Sequence, residues 1–182
     1  MDSENALRKI ENDIEQCRRC SLCEERFKVV PGEGPFDAKV MIVAEAPGKE
    51  ENLSGRPFVG RSGILLRRLM EKAEISPKDV FIANVIKCRP PNNRNPSSVE
   101  LEACRVWLDE QIETIHPKVI VPLGNFACQV LLGKTGITAM RGRCFEKAGI
   151  TYCPTFHPAA ATRDPRRTPL IVEDLKKVRN LF

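Results

Sequence analysis

The sequence predicts an α/β fold: a three-layer α/β/α sandwich around a four-stranded parallel sheet, formed as one domain over residues 1–182. Three observations carry that expectation. Val40-Met41-Ile42-Val43-Ala44 is an unbroken apolar run closed by Glu45 and a Pro47-Gly48 break, the pattern of a strand buried on both faces. Similar runs recur at 80–86 and 117–124 with helix-like segments between them, as in a doubly wound sheet. A chain of 182 residues, 42% hydrophobic and 29% charged, is long enough to bury a core unaided.

Residues 3–16 place Leu7, Ile10 and Ile14 at helical spacing behind Asp2 or Ser3 as a start signal. They lead into Cys17-Arg18-Arg19-Cys20-Ser21-Leu22-Cys23, and Pro31-Gly32-Glu33-Gly34-Pro35 is a loop by composition. The first strand spans 39–44. Residues 46–60 read as a long irregular segment, and such a segment after a buried strand usually serves function. A helix over 61–74 should turn Ile64, Leu65, Leu69 and Met70 inward. After the second strand, the stretch from Lys87 to Pro96 is too rich in Pro and Asn to be anything but loop. Ser97 with Glu100 is a capping box that opens a helix over 98–115. The third strand at 117–124 precedes a short helix to 132. A fourth strand within 146–156 should end at His157-Pro158, and a helix over 169–180 closes the chain.

No apolar run is long enough to span a bilayer, and the polar start Met1-Asp2-Ser3-Glu4-Asn5 lacks the pattern of a secretory signal. A cytoplasmic location and a monomer are expected. The net charge of +5 lies entirely in residues 141–182, which hold nine Lys/Arg against four Asp/Glu. A local basic excess suits a polyanion, nucleic acid first. Lys176, Lys177 and Arg179 fit a solvated helix face equally well. Arg163, Arg166 and Arg167 fall in a Pro-punctuated loop and are the better candidates for phosphate contacts.

Eight cysteines in an intracellular chain argue for a metal or cluster before disulfides. Cys17 and Cys20 form a C-x-x-C knuckle, Cys88 follows the second strand, and Cys104 shares the inward helical face of Leu101, Leu108 and Ile112. Four thiolates could hold zinc or a 4Fe-4S cluster, and the wide second pair leans toward iron–sulfur. A ferredoxin-like use of Cys17, Cys20 and Cys23 is the alternative. Cys128, Cys144 and Cys153 are expected in the core.

A second group stands at the strand ends: Glu45, Phe58, Asn84 and His157. Ligands of parallel sheets bind beyond the carboxyl ends of the strands. Asn84 is an amide in an apolar run, and a ligand could satisfy it. Glu45 alone could be a catalyst or merely the polar end of a strand. An aromatic, an amide, a carboxylate and an imidazole meeting in one cleft suit a nucleobase, stacked on the ring and read at its edge.

At these residues the sequence resembles the family 4, iron–sulfur branch of the uracil-DNA glycosylases, over nearly the whole chain. Ala44-Glu45-Ala46-Pro47-Gly48 is similar to the family's GEAPG motif, and Gly55-Arg56-Pro57-Phe58-Val59-Gly60 to its G-x-P-F-V-G segment. The stretch from Asn84 to Pro96 is similar to its N-x-x-K-C-R-P-P-x-N-R-x-P signature, and Thr155-Phe156-His157-Pro158 to its T-Y-H-P motif. Two departures are Ala44 in place of the family's Gly and Ala159 in place of its common Ser. The resemblance implies a structural 4Fe-4S cluster on Cys17, Cys20, Cys88 and Cys104, with Cys23 not required. It implies hydrolysis of deoxyuridine in single- or double-stranded DNA, with Glu45 positioning or deprotonating water and Glu51 as an auxiliary carboxylate. Phe58 would stack on the base, Ala46 line its pocket, Asn84 read its edge and His157 stabilise the departing uracil. Arg163, Arg166 and Arg167 would grip DNA. A glycosylase for other deaminated bases, or a DNA-binding module without activity, are the alternatives.

Overall fold

Alternation along one strand explains the layers. In a computed structural model, which describes residues 2–182, β1 (Val40–Ala44) is buried along its whole length. Val40, Ile42 and Ala44 enter one core, while Met41 and Val43 enter another on the opposite face. β1 sits between β2 (Val80–Asn84) and β3 (Val119–Pro122), both parallel to it. β4 (Phe145–Lys147) and β5 (Ile150–Tyr152) complete a sheet of order β2-β1-β3-β5-β4.

The fold class is the expected one, but the sheet has five strands rather than four. The single strand expected within 146–156 is an antiparallel hairpin that pairs Phe145 with Tyr152 and Lys147 with Ile150. Ala148 and Gly149 turn it with φ of 51° and 77°, as a two-residue hairpin loop demands. Ala-Gly is a weak turn signal, because alanine seldom adopts that region. Cys144 and Cys153 form a disulfide across the open end of this hairpin. Cys144 is exposed rather than in the core, whereas Cys128 is fully buried.

Nine α-helices surround the sheet among the described residues: α1 (Ser3–Glu15), α2 (Leu22–Glu25), α3 (Lys49–Ser54), α4 (Arg61–Lys72), α5 (Ser98–Ile115), α6 (Gly124–Leu132), α7 (Ile137–Met140), α8 (Pro158–Arg163) and α9 (Thr168–Arg179). The Asp2 carboxylate caps α1, and Ser97 with Glu100 forms the expected capping box on α5. Leu7, Ile10 and Ile14 of α1 and Cys104, Leu108 and Ile115 of α5 pack on the face of Met41 and Val43. Leu66, Leu69 and Met70 of α4 and Ile171, Leu175 and Val178 of α9 cover the other. Each such fully buried Leu or Ile contributes about 1.5–3 kcal/mol.

Two expectations change in detail. The segment 46–60 is not wholly irregular, because α3 lies within it. On α4, Ile64 is 50% exposed and Leu66 fully buried, so the inward stripe is Leu66, Leu69, Met70 and Ala73. Leu66 stands two residues beyond Ile64, on the opposite side of the helix.

Candidate active site and cysteine pocket

The register brings the strand ends to one edge. Ala44 pairs with Asn84, and Val43 with Pro122. The ladder continues through a parallel bridge between Leu123 and Thr155, where the Gly124 N–H donates to the Thr155 carbonyl at 2.9 Å. Glu45, Asn84, Gly124 and His157 therefore leave the sheet together and line one cleft of about 700 Å³. Ala46, Glu51, Phe58 and Arg163 line it too.

Phe58 is buried and stands 5.7 Å from the His157 ring, centroid to centroid. Its backbone φ is 53°, a left-handed conformation that costs a bulky residue about 1–3 kcal/mol. Two features hold it there. Glu51, buried, accepts on Oε1 from the Val59 and Gly60 N–H groups at 2.9 and 2.8 Å. Gly63 on α4 lies against the Phe58 backbone so closely that a Cβ there would stand 1.9 Å from its carbonyl oxygen. Glu51 thus clamps the loop that carries the aromatic ring. The sequence gives no sign of either contact.

Asn84 is 2% exposed. No buried side-chain nitrogen or oxygen among the described residues lacks a partner. The Asn84 amide bonds no group among the described residues, so its polar atoms are not fully enclosed, and Asn84 lines the cleft. Glu45 is half-buried, and burial raises its carboxyl above the ordinary glutamate value.

His157 caps the N-terminus of α8, its Nδ1 accepting the Ala159 N–H at 3.1 Å. An Nδ1 that accepts cannot carry the proton, so the neutral ring holds its hydrogen on Nε2 and can donate from there. Burial, with the Arg163 charge adding to it, lowers the His157 pKa to about 4. The imidazole is neutral at pH 7. Behind it, the Thr155 hydroxyl donates to buried Asp174 at 2.6 Å, and Arg141 pairs with the same carboxylate. This fixes the strand exit that delivers His157.

The three candidate phosphate-binding arginines separate. Arg163 reaches the cleft, whereas Arg166 and Arg167 gather on Asp164 just beyond it, at 2.9 and 3.5 Å. Arg167 also stacks over Phe156. Arg94 and Asn125, not singled out from sequence, line the cleft as well. Arg94 makes a bidentate pair with Glu100, the cap residue of α5. That pair holds the Glu100 pKa down to about 2.

Against the core that holds Met41 and Val43, Cys17, Cys20, Cys23, Cys88 and Cys104 line another, narrow pocket. N–H groups point at three of the sulfurs: Trp107 Nε1 at Cys17 (3.4 Å), Arg26 Nη1 at Cys88 (3.1 Å) and the Lys87 backbone at Cys104 (3.2 Å). Burial raises the Cys104 thiol to about 11 and also raises Cys20 and Cys88. Among the described residues no group of three or more His, Cys, Asp or Glu is drawn in tightly enough to hold a single ion.

Such a site defines a class: an α/β protein whose candidate ligand cleft opens at the carboxyl edge of its sheet. Residues 31–179 match the family described as the Uracil DNA glycosylase superfamily. The Type-4 uracil-DNA glycosylase of Sulfurisphaera tokodaii is 43% identical over 97% of this chain and 85% of its own length. That of Thermotoga maritima is 40% identical over 98% of this chain and 96% of its own. A Type-5 uracil-DNA glycosylase of Pyrobaculum aerophilum is 31% identical, over 82% of this chain and 73% of its own. The chain belongs to the uracil-DNA glycosylase superfamily and is similar to type-4 members over nearly its whole length.

Proposed function

We propose that the cleft receives a uracil flipped out of DNA and that the chain hydrolyses its N-glycosidic bond, releasing uracil and leaving an abasic site. The observation that carries this reading is the His157 ring, its Nδ1 accepting a backbone N–H, 5.7 Å from the Phe58 ring and lining the same cleft as Asn84. Phe58 stacks on the base, Asn84 bonds its polar edge and Ala46 lines the pocket. As the C1′–N1 bond breaks, its electron pair leaves with the uracil, and His157 Nε2–H donates to the carbonyl oxygen where negative charge gathers. A neutral donor suits this task because it stabilises charge without first giving up a proton. Glu45 stabilises the sugar cation and takes the proton of the water that adds to C1′. Glu51 supports the site by holding the Phe58 loop, and Arg163 meets the flanking phosphates, with Arg166 and Arg167 behind it.

The cysteine pocket fits a thiolate-bound cluster. Five cysteines line one pocket, N–H donors face the sulfurs of three of them, and Arg26 and Lys87 line it too. Cys17, Cys20, Cys88 and Cys104 would hold a 4Fe-4S cluster. Its contribution would be to brace the fold, since hydrolysis moves no electrons.

The test is incubation with a uracil-containing oligonucleotide followed by alkali. The wild-type protein should give cleavage at the uracil position. Glu45→Ala and His157→Ala should each lose about 10²-fold or more in single-turnover rate while keeping the fold. Wild-type rates in both variants would overturn the assignment.

A further inference from the structure

Lys87 is fully enclosed, at 1% exposure, and among the described residues no carboxylate pairs with it. Its Nζ donates to the Asn84 carbonyl at 3.0 Å and to Gln111 Oε1 at 2.6 Å. Gln111, also fully buried, donates onward to the Pro31 carbonyl at 2.9 Å. The Lys87 backbone is equally engaged: its N–H reaches Cys104 Sγ, and its carbonyl accepts from Val30 at 2.8 Å. The next residue is Cys88.

A buried ammonium without an acid is costly, and an uncharged chain of similar length would fill the same space without that cost. Here the charge has two uses at once. Lys87 lines the cysteine pocket, where cluster-bound thiolates would need a cation nearby. It also pins the peptide carbonyl of Asn84, which lines the cleft. The same short segment carries the Val85 and Ile86 N–H groups, which donate to the Ala44 and Glu45 carbonyls at 2.8 and 3.0 Å. One side chain therefore lies between the cysteine pocket and the backbone of two residues of the base site.

We propose that Lys87 is a positioning residue, which holds the Asn84 end of β2 in place from the cysteine pocket and so sets the orientation in which the amide meets the base. The claim rests on the uracil reading for what Asn84 does there, and on the hydrogen bonds alone for the anchoring.

Lys87→Met, prepared as full-length iron-loaded protein, separates the two. Hydrogen exchange at the Val85 and Ile86 amides should rise in the variant at unchanged iron content, a result independent of any activity. Single-turnover uracil excision should fall on the order of 10- to 100-fold, the effect of a small misplacement in a positioned group, with KM for the oligonucleotide little changed. In an Asn84→Ala background the same substitution should cost almost nothing further, because Lys87 acts through Asn84. A packing role alone would lower the melting temperature and the active fraction, yet leave the rate per active molecule intact. If Lys87→Met loses iron, Gln111→Leu removes the second anchor without touching a cysteine and should show the same pattern. Unchanged exchange at Val85 and Ile86, or additive losses with Asn84→Ala, would overturn the proposal. Absence of uracil excision by the wild-type protein would instead overturn the functional reading, leaving the exchange measurement to judge the anchor.

Discussion

Glu45 and His157 shift in opposite directions for one reason: burial disfavours the charged form of each. The proposed chemistry needs Glu45 ionised and His157 neutral. Because His157 titrates near 4, the usual imidazole inflection at 6.5 should be missing from the pH–rate profile. The acid limb should instead belong to Glu45, lie above the ordinary glutamate value of 4.5 and vanish in the residual activity of Glu45→Gln. Single-turnover rates from pH 4 to 9 check both points, and a limb near 6.5 that disappears in His157→Gln would contradict them. Stability follows the same sign. Between 4 and 6.5 the unfolded chain binds the proton that folded His157 refuses, so this contribution is full above 6.5 and is lost as pH falls toward 4. These residues were legible in the sequence because each is chemically out of place at the end of an apolar run. Glu51 was legible only as a carboxylate. Its bonds go to backbone N–H groups eight and nine residues away, and nothing in a side-chain pattern records them.

At the scale of elements, the long runs were readable and the short ones were not. α5 announces itself by its capping box and β1 by its apolar length, whereas α3 and α8 have six residues each, too few for a periodic stripe. The position of α4 matters most, because it decides where the Phe58 ring stands. Gly63 lets this helix touch the Phe58 backbone, and a methyl group there would collide with it. Gly63→Ala gains up to about 1 kcal/mol in helix propensity. The clash nonetheless forces either helix or loop to move. We expect a protein that still folds and binds iron, with uracil excision reduced on the order of 10- to 100-fold through misplacement of the ring. Inhibition by free uracil should weaken in parallel. Unaltered inhibition and rate would show that the loop absorbs the methyl group and that Glu51 alone holds Phe58.

The whole molecule carries two candidate sites near the end of β2, and the cysteine pocket, like the cleft, gathers distant chain. Cys17 and Cys20 come from the segment after α1, Cys88 from the loop after β2 and Cys104 from α5. Joining them would close loops across residues 17–104, nearly half of the sequence, which restricts the unfolded chain as well as supporting the folded one. The joined segments include the loop that leaves Asn84 and the strap at Val30 and Pro31 bonded to Lys87 and Gln111. Loss of the cluster should therefore damage the base site without any residue of the cleft being changed. Cys17→Ala, Cys20→Ala, Cys88→Ala and Cys104→Ala should each lose iron and brown absorbance, melt at lower temperature and excise uracil poorly. Cys23→Ala should retain all three properties, as should Cys128→Ala, whose sulfur lies in the opposite core. Iron analysis, visible absorbance and thermal melting of the six variants form the test. Stoichiometric zinc without iron in the wild-type protein would refute the cluster. Loss of iron with full excision would refute the coupling instead, because a cleft that survives the release of all three segments is held by the sheet alone.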